Sequence, residues 1–181
     1  TAYNSAYSHR VTWKFGTYSN VQTIAAGGTS ASYTIPLNWL KAIPNAASGT
    51  AIATLETLDA SGNTLGTSSY NFTVTVPAGV TPNLESVMVA PVNSNSVLAG
   101  WNAYAYGKSQ AKITINGASG AYGSTIKSYS ITTDPSVGSA NASSLTTGTL
   151  YKTGTVTVTA KVTESRGRTA TRSTTFSISA Y

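Results

Sequence analysis

Cysteine is absent from the 181 residues, and histidine occurs once, at His9. Disulfide staples, thiolate nucleophiles and zinc sites built from Cys and His are therefore excluded. Charge is scarce too: 11 Lys and Arg with 5 Asp and Glu make up 9% of the chain, where about 25% is usual. Five carboxylates and one imidazole leave little from which acid–base catalysis could be assembled. No run approaches the roughly 20 apolar residues of a membrane span. The opening Thr1-Ala2-Tyr3-Asn4 carries no charged-then-apolar leader pattern. It also lacks an initiating Met, which reads as a processed chain or a piece of a longer one. Without cysteine, the redox compartment stays open.

Hydroxyls stand where charges are missing. The chain has 25 Ser and 30 Thr. The branched Cβ of Thr packs well on a pleated surface and disfavours helix, so the composition points to strands. With 40% hydrophobic residues, cores can form. The net charge of +6 is uneven: three basic residues face two acidic ones up to Pro82, and eight face three beyond it. A basic half suits an anionic partner or merely solubility.

Periodicity agrees with strands. Val11, Trp13 and Phe15 alternate with Thr12 and Lys14, and Tyr70, Phe72, Val74 and Val76 alternate as cleanly. Thr50–Leu58 reads as a strand closed by the turn signal 59–63. Leu37, Trp39 and Leu40 fit one helical turn stopped by Pro44. The stretch from Pro77 to Pro82 holds two prolines and a glycine and cannot continue a central strand. A domain boundary is placed there, giving residues 1–78 and 79–181. In the second part, strands are expected at 84–89, 97–104, 111–115, 126–131, 155–163 and 169–179. Gly167 supplies the positive φ of the last hairpin. Short strands with turn signals every 8–12 residues predict an all-β protein of two tandem Ig-like or fibronectin-III-like antiparallel β-sandwich domains, with one larger jelly roll as the architectural runner-up.

The chemistry-bearing residues give little. A Ser–His–acid triad could use only His9, which reads as a surface residue beside Arg10; there is no Gly-x-Ser-x-Gly elbow. Glycosidase carboxylates could be only Glu56 with Asp59, or two of Glu85, Asp134 and Glu164, and the first pair sits at a strand end and a turn. Carboxylates do not cluster as calcium requires, so no metal and no cofactor are expected. Lys14, Lys112 and Lys161 fall on outward faces, which argues against buried Lys–Asn crosslinks. Tyrosine is the more telling stock, 11 residues beside 3 Trp. Its ring offers a flat apolar face with a polar tip, suited to sugars and protein contacts. Tyr104 and Tyr106 share a face, with Trp101 on the other, and Tyr122 lies in a Gly-rich turn. These tyrosines, with Arg166 and Arg168 on the last hairpin, are the candidate surface contacts. The plainer alternative makes them core and cap residues. No recognition helix or RNP motif accompanies the arginines, so no nucleic-acid partner is expected; a charged edge that deters strand pairing explains them.

Several stretches taken together resemble a known family. Residues 39–50, Trp-Leu-Lys-Ala-Ile-Pro-Asn-Ala-Ala-Ser-Gly-Thr, are similar to a stretch of minor structural proteins from bacteriophages with long, flexible tails. Val11–Gly16, Phe72–Pro77, Tyr106–Ser109, Gly120–Tyr129 and Thr163–Ala170 fit the same pattern, and residues 135–149 match least. The resemblance implies a noncatalytic virion component of the tail or tail tip, from a phage of a Gram-positive host and extracellular in the particle. Its implied partners are other tail proteins and host cell-wall polysaccharide, with no membrane insertion. A bacterial surface or secreted adhesin fragment is the alternative, and a polysaccharide-degrading domain stands behind both.

Overall fold

The computed structural model describes residues 3–181; Thr1 and Ala2, part of the opening read above for a leader, lie outside them. Among the described residues the chain forms eleven strands and one short 3-10 helix. The protein is all-β, with antiparallel sheets. It divides into two compact units, Thr1–Pro77 and Ala78–Tyr181.

In the first unit, strands β1 (Ser8–Phe15), β2 (Tyr18–Ile24), β3 (Ser48–Leu58) and β4 (Thr64–Thr75) form one sheet in the order β2-β1-β3-β4. β1 and β2 are joined by Gly16 and Thr17. Gly16 sits at φ 58, a left-handed conformation that costs glycine nothing, because it has no Cβ to collide with the next carbonyl. The register sets Trp13 opposite Ala53 and Ala51 opposite Phe72, so a single face gathers the rings. The 3-10 helix Leu37–Ala42 brings Trp39 to this face, where it stacks on Tyr18 at 6.0 Å and meets Tyr33 at 5.6 Å. Phe15, Trp39 and Ala51 are the buried centre of the cluster. The opposite face carries Thr12, Lys14 and Thr54 towards solvent.

The sandwich expected for residues 1–78 is therefore corrected to one sheet with an aromatic cap. Residues 25–47, which would have to supply further strands, contain Pro36 and Pro44 and run as coil and 3-10 helix. Proline cannot donate to a ladder, and bulky rings fill the space that a second sheet would occupy.

The second unit has two layers. One sheet is β5 (Asn83–Asn93), β7 (Ser109–Ser119) and β9 (Ser144–Thr146); the other is β6 (Tyr104–Ala105), β11 (Thr169–Ser179), β10 (Gly154–Glu164) and β8 (Ile126–Asp134). β6 runs parallel to β11; the other pairings are antiparallel. β10 shows how the composition works. Val156, Val158, Ala160 and Val162 point inward, while Thr157 and Lys161 point to water. These valines meet Ile113, Ile131, Leu150 and Phe176 in an aliphatic core. The strand expected at 97–104 is replaced by turns. Asn95 Oδ1 accepts from Val97 N–H, and Asn93 Nδ2 donates to the carbonyls of Trp101 and Ala103. Two asparagine side chains thus satisfy backbone groups that a ladder would need. β2 and β9 were not anticipated.

Candidate functional site

The five candidate surface residues do not form one site. β10 and β11 are joined by the turn 165–168, and Tyr106 N–H donates to the carbonyl of Ser179, at the far end of β11. About ten residues of strand, on the order of 33 Å, separate the two ends.

At the turn end, Arg166 is a structural residue and not the surface contact read from the sequence. Its side chain is 1% exposed, with Nη1 donating to Ala121 O at 2.7 Å and Nη2 to Tyr122 O at 2.6 Å. Glu164, equally buried, accepts at Oε1 from the N–H groups of Arg166 and Arg168, and its Oε2 lies 3.8 Å from Arg166 Nη1. A buried pair of this kind holds only while the remaining donors find partners, and the backbone carbonyls of the 121–122 loop are those partners. Tyr122 is half-buried in that loop at φ 46. Arg168 is part-buried and reaches Val80 O at 3.4 Å; Arg172 Nε donates to Leu84 O at 2.8 Å. The arginines of the last hairpin clip two neighbouring segments of their own unit.

Tyr104 is also corrected. It packs on Phe176 at 4.6 Å, and burial holds its phenol above the ordinary pKa of 10.0. The shared face expected for Tyr104 and Tyr106 fails because the strand stops at Ala105, and the turn that follows swings Tyr106 outward.

Tyr106 belongs to a different grouping. The turn Tyr106-Gly107-Lys108 is fixed by Gly107 N–H to Leu150 O at 2.8 Å and Lys108 N–H to Ala105 O at 3.1 Å. The first of these, with Tyr106 N–H to Ser179 O, sets it against the loop after β9 and the end of β11. Tyr106 meets Tyr151 edge to face at 5.8 Å, and Lys108 Nζ lies 5.4 Å over the ring of Tyr181. Tyr106, Tyr151 and Tyr181 are 44%, 67% and 65% exposed. Trp101, also well exposed, belongs to the loop that Asn93 holds, and Asn93 accepts from Ser109 at the start of β7. One end of the sandwich thus presents four aromatic rings and an ammonium to solvent. Tyr151 and Tyr181 carry no motif, and their place beside Tyr106 depends on three loops meeting.

Rings with phenolic tips and one cation can stack on and hydrogen-bond a polar, flat ligand. Glu164, Glu56 and Asp59 have structural duties elsewhere. Glu56 binds Arg10 at 2.5 Å and accepts from Thr64, and these hydrogen bonds, Thr64 first, lower its pKa. Asp59 caps its turn by accepting from Ser61 and Asn63 N–H, and its pKa is likewise lowered, chiefly by Asn63. Among the described residues, no three His, Cys, Asp or Glu groups converge to hold a metal ion, and no helix is long and apolar enough to cross a membrane.

The whole chain, residues 1–181, matches the family model described as "Siphovirus protein of unknown function (DUF859)". The chain belongs to this family. The phage resemblance read from the sequence is thereby shown, and this siphovirus-family chain has no match among curated proteins. Among solved structures it is similar to one described as "Structures of Clostridium thermocellum CbhA fibronectin(III)-like modules", with 14% identity and a TM-score of 0.40 over 99% of this chain and 83% of that one.

Proposed function

We propose that the protein is a noncatalytic structural and adhesion module of a siphovirus virion, carried on the tail or tail tip. In this reading it consists of two tandem domains, the second an immunoglobulin-like sandwich, and its ring-bearing end contacts cell-surface polysaccharide of the host. Family membership favours the phage reading over a bacterial adhesin. The observation that carries the adhesion role is the exposed group of Trp101, Tyr106, Tyr151 and Tyr181 with Lys108. Isolated surface aromatics need no explanation, but a gathered set is what interaction sites look like. The noncatalytic reading draws support from the structural engagement of Glu56, Asp59 and Glu164.

The test is binding of the full chain to purified host cell-wall polysaccharide. Each stacked ring is worth on the order of 1 kcal/mol, so Tyr106→Ala with Tyr151→Ala should weaken binding at least tenfold while the thermal midpoint is kept. Unchanged binding in the double variant would remove the ring-bearing end from the adhesion role. Release of reducing sugar from the wall, abolished by Glu56→Gln, would refute the noncatalytic claim. Immunogold labelling of virions decides the location: label away from the tail ends the tail assignment.

A further inference from the structure

The sole histidine does not lie on an open surface. His9, Thr57 and Ile24 stand in one row across three strands of the first unit's sheet. The next residue across on β4 is Gly66, which has no side chain to close the row. The 3-10 helix covers the other end of this face, so the row is left beneath two short segments. One holds Tyr3 and Tyr7; the other, residues 25–29, is tied to it by Gly27 N–H donating to Tyr7 O at 3.1 Å. Between them and the sheet is a cleft of about 250 Å³, with Ile24 and Leu55 as apolar lining, the two tyrosines beside them, and His9, Thr57, Asn4 and Thr29 as its polar residues.

We infer that this cleft is a second binding site, for a single neutral acetamido sugar, an N-acetylhexosamine unit. Three features select that chemistry. No charged side chain lines the cleft, and the nearest in sequence, Arg10 and Glu56, pair with each other on the opposite face of the sheet. An ionic ligand would find no counter-charge here. His9 Nδ1 is engaged with Thr57 Oγ1 at 3.1 Å, which fixes the ring and leaves Nε2 to meet a ligand. When the Thr57 hydroxyl is the donor, Nε2–H donates and suits an amide carbonyl. Beside it, Ile24 and Leu55 match a methyl group, and the tyrosine rings match the face of a pyranose. A group with a carbonyl and a methyl on one carbon, attached to a neutral ring, is an acetamido sugar. Plain hexoses lack the acetyl methyl to place on the two aliphatic residues. This site is separate from the tyrosine-rich end of the second unit.

Because His9 is the only histidine, its ring Cε1–H gives one proton resonance and an unambiguous probe. Titration of the full chain with methyl β-N-acetylglucosaminide should shift that resonance saturably. The corresponding glucoside should bind at least tenfold more weakly. Saturation transfer from protein to sugar should be strongest at the acetyl methyl. His9→Ala should abolish that transfer, with tryptophan emission in a Trp101→Phe background reporting that the unit is still folded, whereas Tyr151→Ala should leave it unchanged. The inference fails if the histidine resonance does not respond, if both glycosides act alike, or if ring protons are saturated ahead of the methyl. All three readouts need only the unsubstituted protein, so a misfolded variant does not remove the test. Loss of transfer with Tyr151→Ala would assign the sugar to the other unit and overturn the inference.

Discussion

The two units draw on the same hydroxyl-rich vocabulary and bury different things. The second encloses thirteen buried residues between two sheets, nearly all aliphatic; the first centres on Phe15, Trp39 and Ala51 over a single sheet. In both, most strand threonines and serines face water, Thr57 and Ser109 being buried exceptions. The inward partners differ: valine and isoleucine are compact and leave a gap that only a second sheet fills. Trp13, Phe15, Tyr33 and Trp39 project far enough for one 3-10 turn and a coil to cover the sheet. Hydroxyl alternation therefore reports a half-buried strand. It does not report how many sheets follow.

That contrast can be broken at its largest supports. In the first unit, Trp39→Ala removes a ring against which Tyr18 and Tyr33 rest; truncations of this size cost about 3–5 kcal/mol. In the second, Arg166→Met leaves Glu164 buried without its partner, a loss of about 3–5 kcal/mol. Urea denaturation reads both. Trp101 is exposed and Trp39 buried, so in a Trp101→Phe background the emission shift follows the first unit, and far-ultraviolet circular dichroism follows all strands. Trp39→Ala should lower the emission midpoint. Arg166→Met should lower the dichroism midpoint and leave emission nearly in place. Adding Glu164→Gln to Arg166→Met should recover part of the loss, since the uncompensated charge is what makes the single change costly. Equal shifts of both signals by Arg166→Met would mean that the units do not stabilise themselves separately.

A finer comparison uses two glycines with the same backbone demand. Gly16 and Gly167 lie at φ 58 and 86, where an added Cβ costs about 1–2 kcal/mol. A Cβ at Gly16 would meet Ala42 Cβ at 2.8 Å, under the aromatic cap, while at Gly167 nothing lies within 4 Å. Gly16→Ala should thus destabilise more than Gly167→Ala. Equal losses would show that the cap yields to a methyl group, and that it is not tightly packed.

Much of the fold was legible because period and punctuation are local. β10 and β11, the Pro36–Pro44 helical turn and the Gly167 hairpin follow from alternation and breakers alone. The single-sheet first unit was not, since sheet number depends on the reach of Trp39 across the cap. The candidate site was legible only at Tyr106. Tyr151 and Tyr181 join it through turns remote in sequence, and His9 looks like a surface residue until Tyr7 and Leu55 are seen beside it. Arg166 misled for a different reason. Arginine near a turn usually meets water, and the carbonyls of Ala121 and Tyr122 that bury it lie 45 and 44 residues away.

The smallest effect concerns acid. Both carboxylates with lowered pKa values, Glu56 and Asp59, belong to the first unit. A group whose folded pKa is below its unfolded value adds stability above the unfolded pKa and loses it as pH falls through the folded one. The emission midpoint in urea should therefore decline as pH drops below the ordinary carboxylate values of 4.5 and 3.8. For Glu56 the Thr64 hydroxyl is the leading cause and Arg10 follows. Thr64→Val and Arg10→Gln should each flatten the decline, the first by removing a hydrogen bond and the second by removing a hydrogen bond and a charge. Arg10 and Glu56 are both partly exposed, so salt at 0.5 M should weaken the Arg10 contribution and spare the hydroxyl's. If Arg10→Gln flattens the curve more at low salt, the ion pair and not the Thr64 hydrogen bond governs this edge of the sheet.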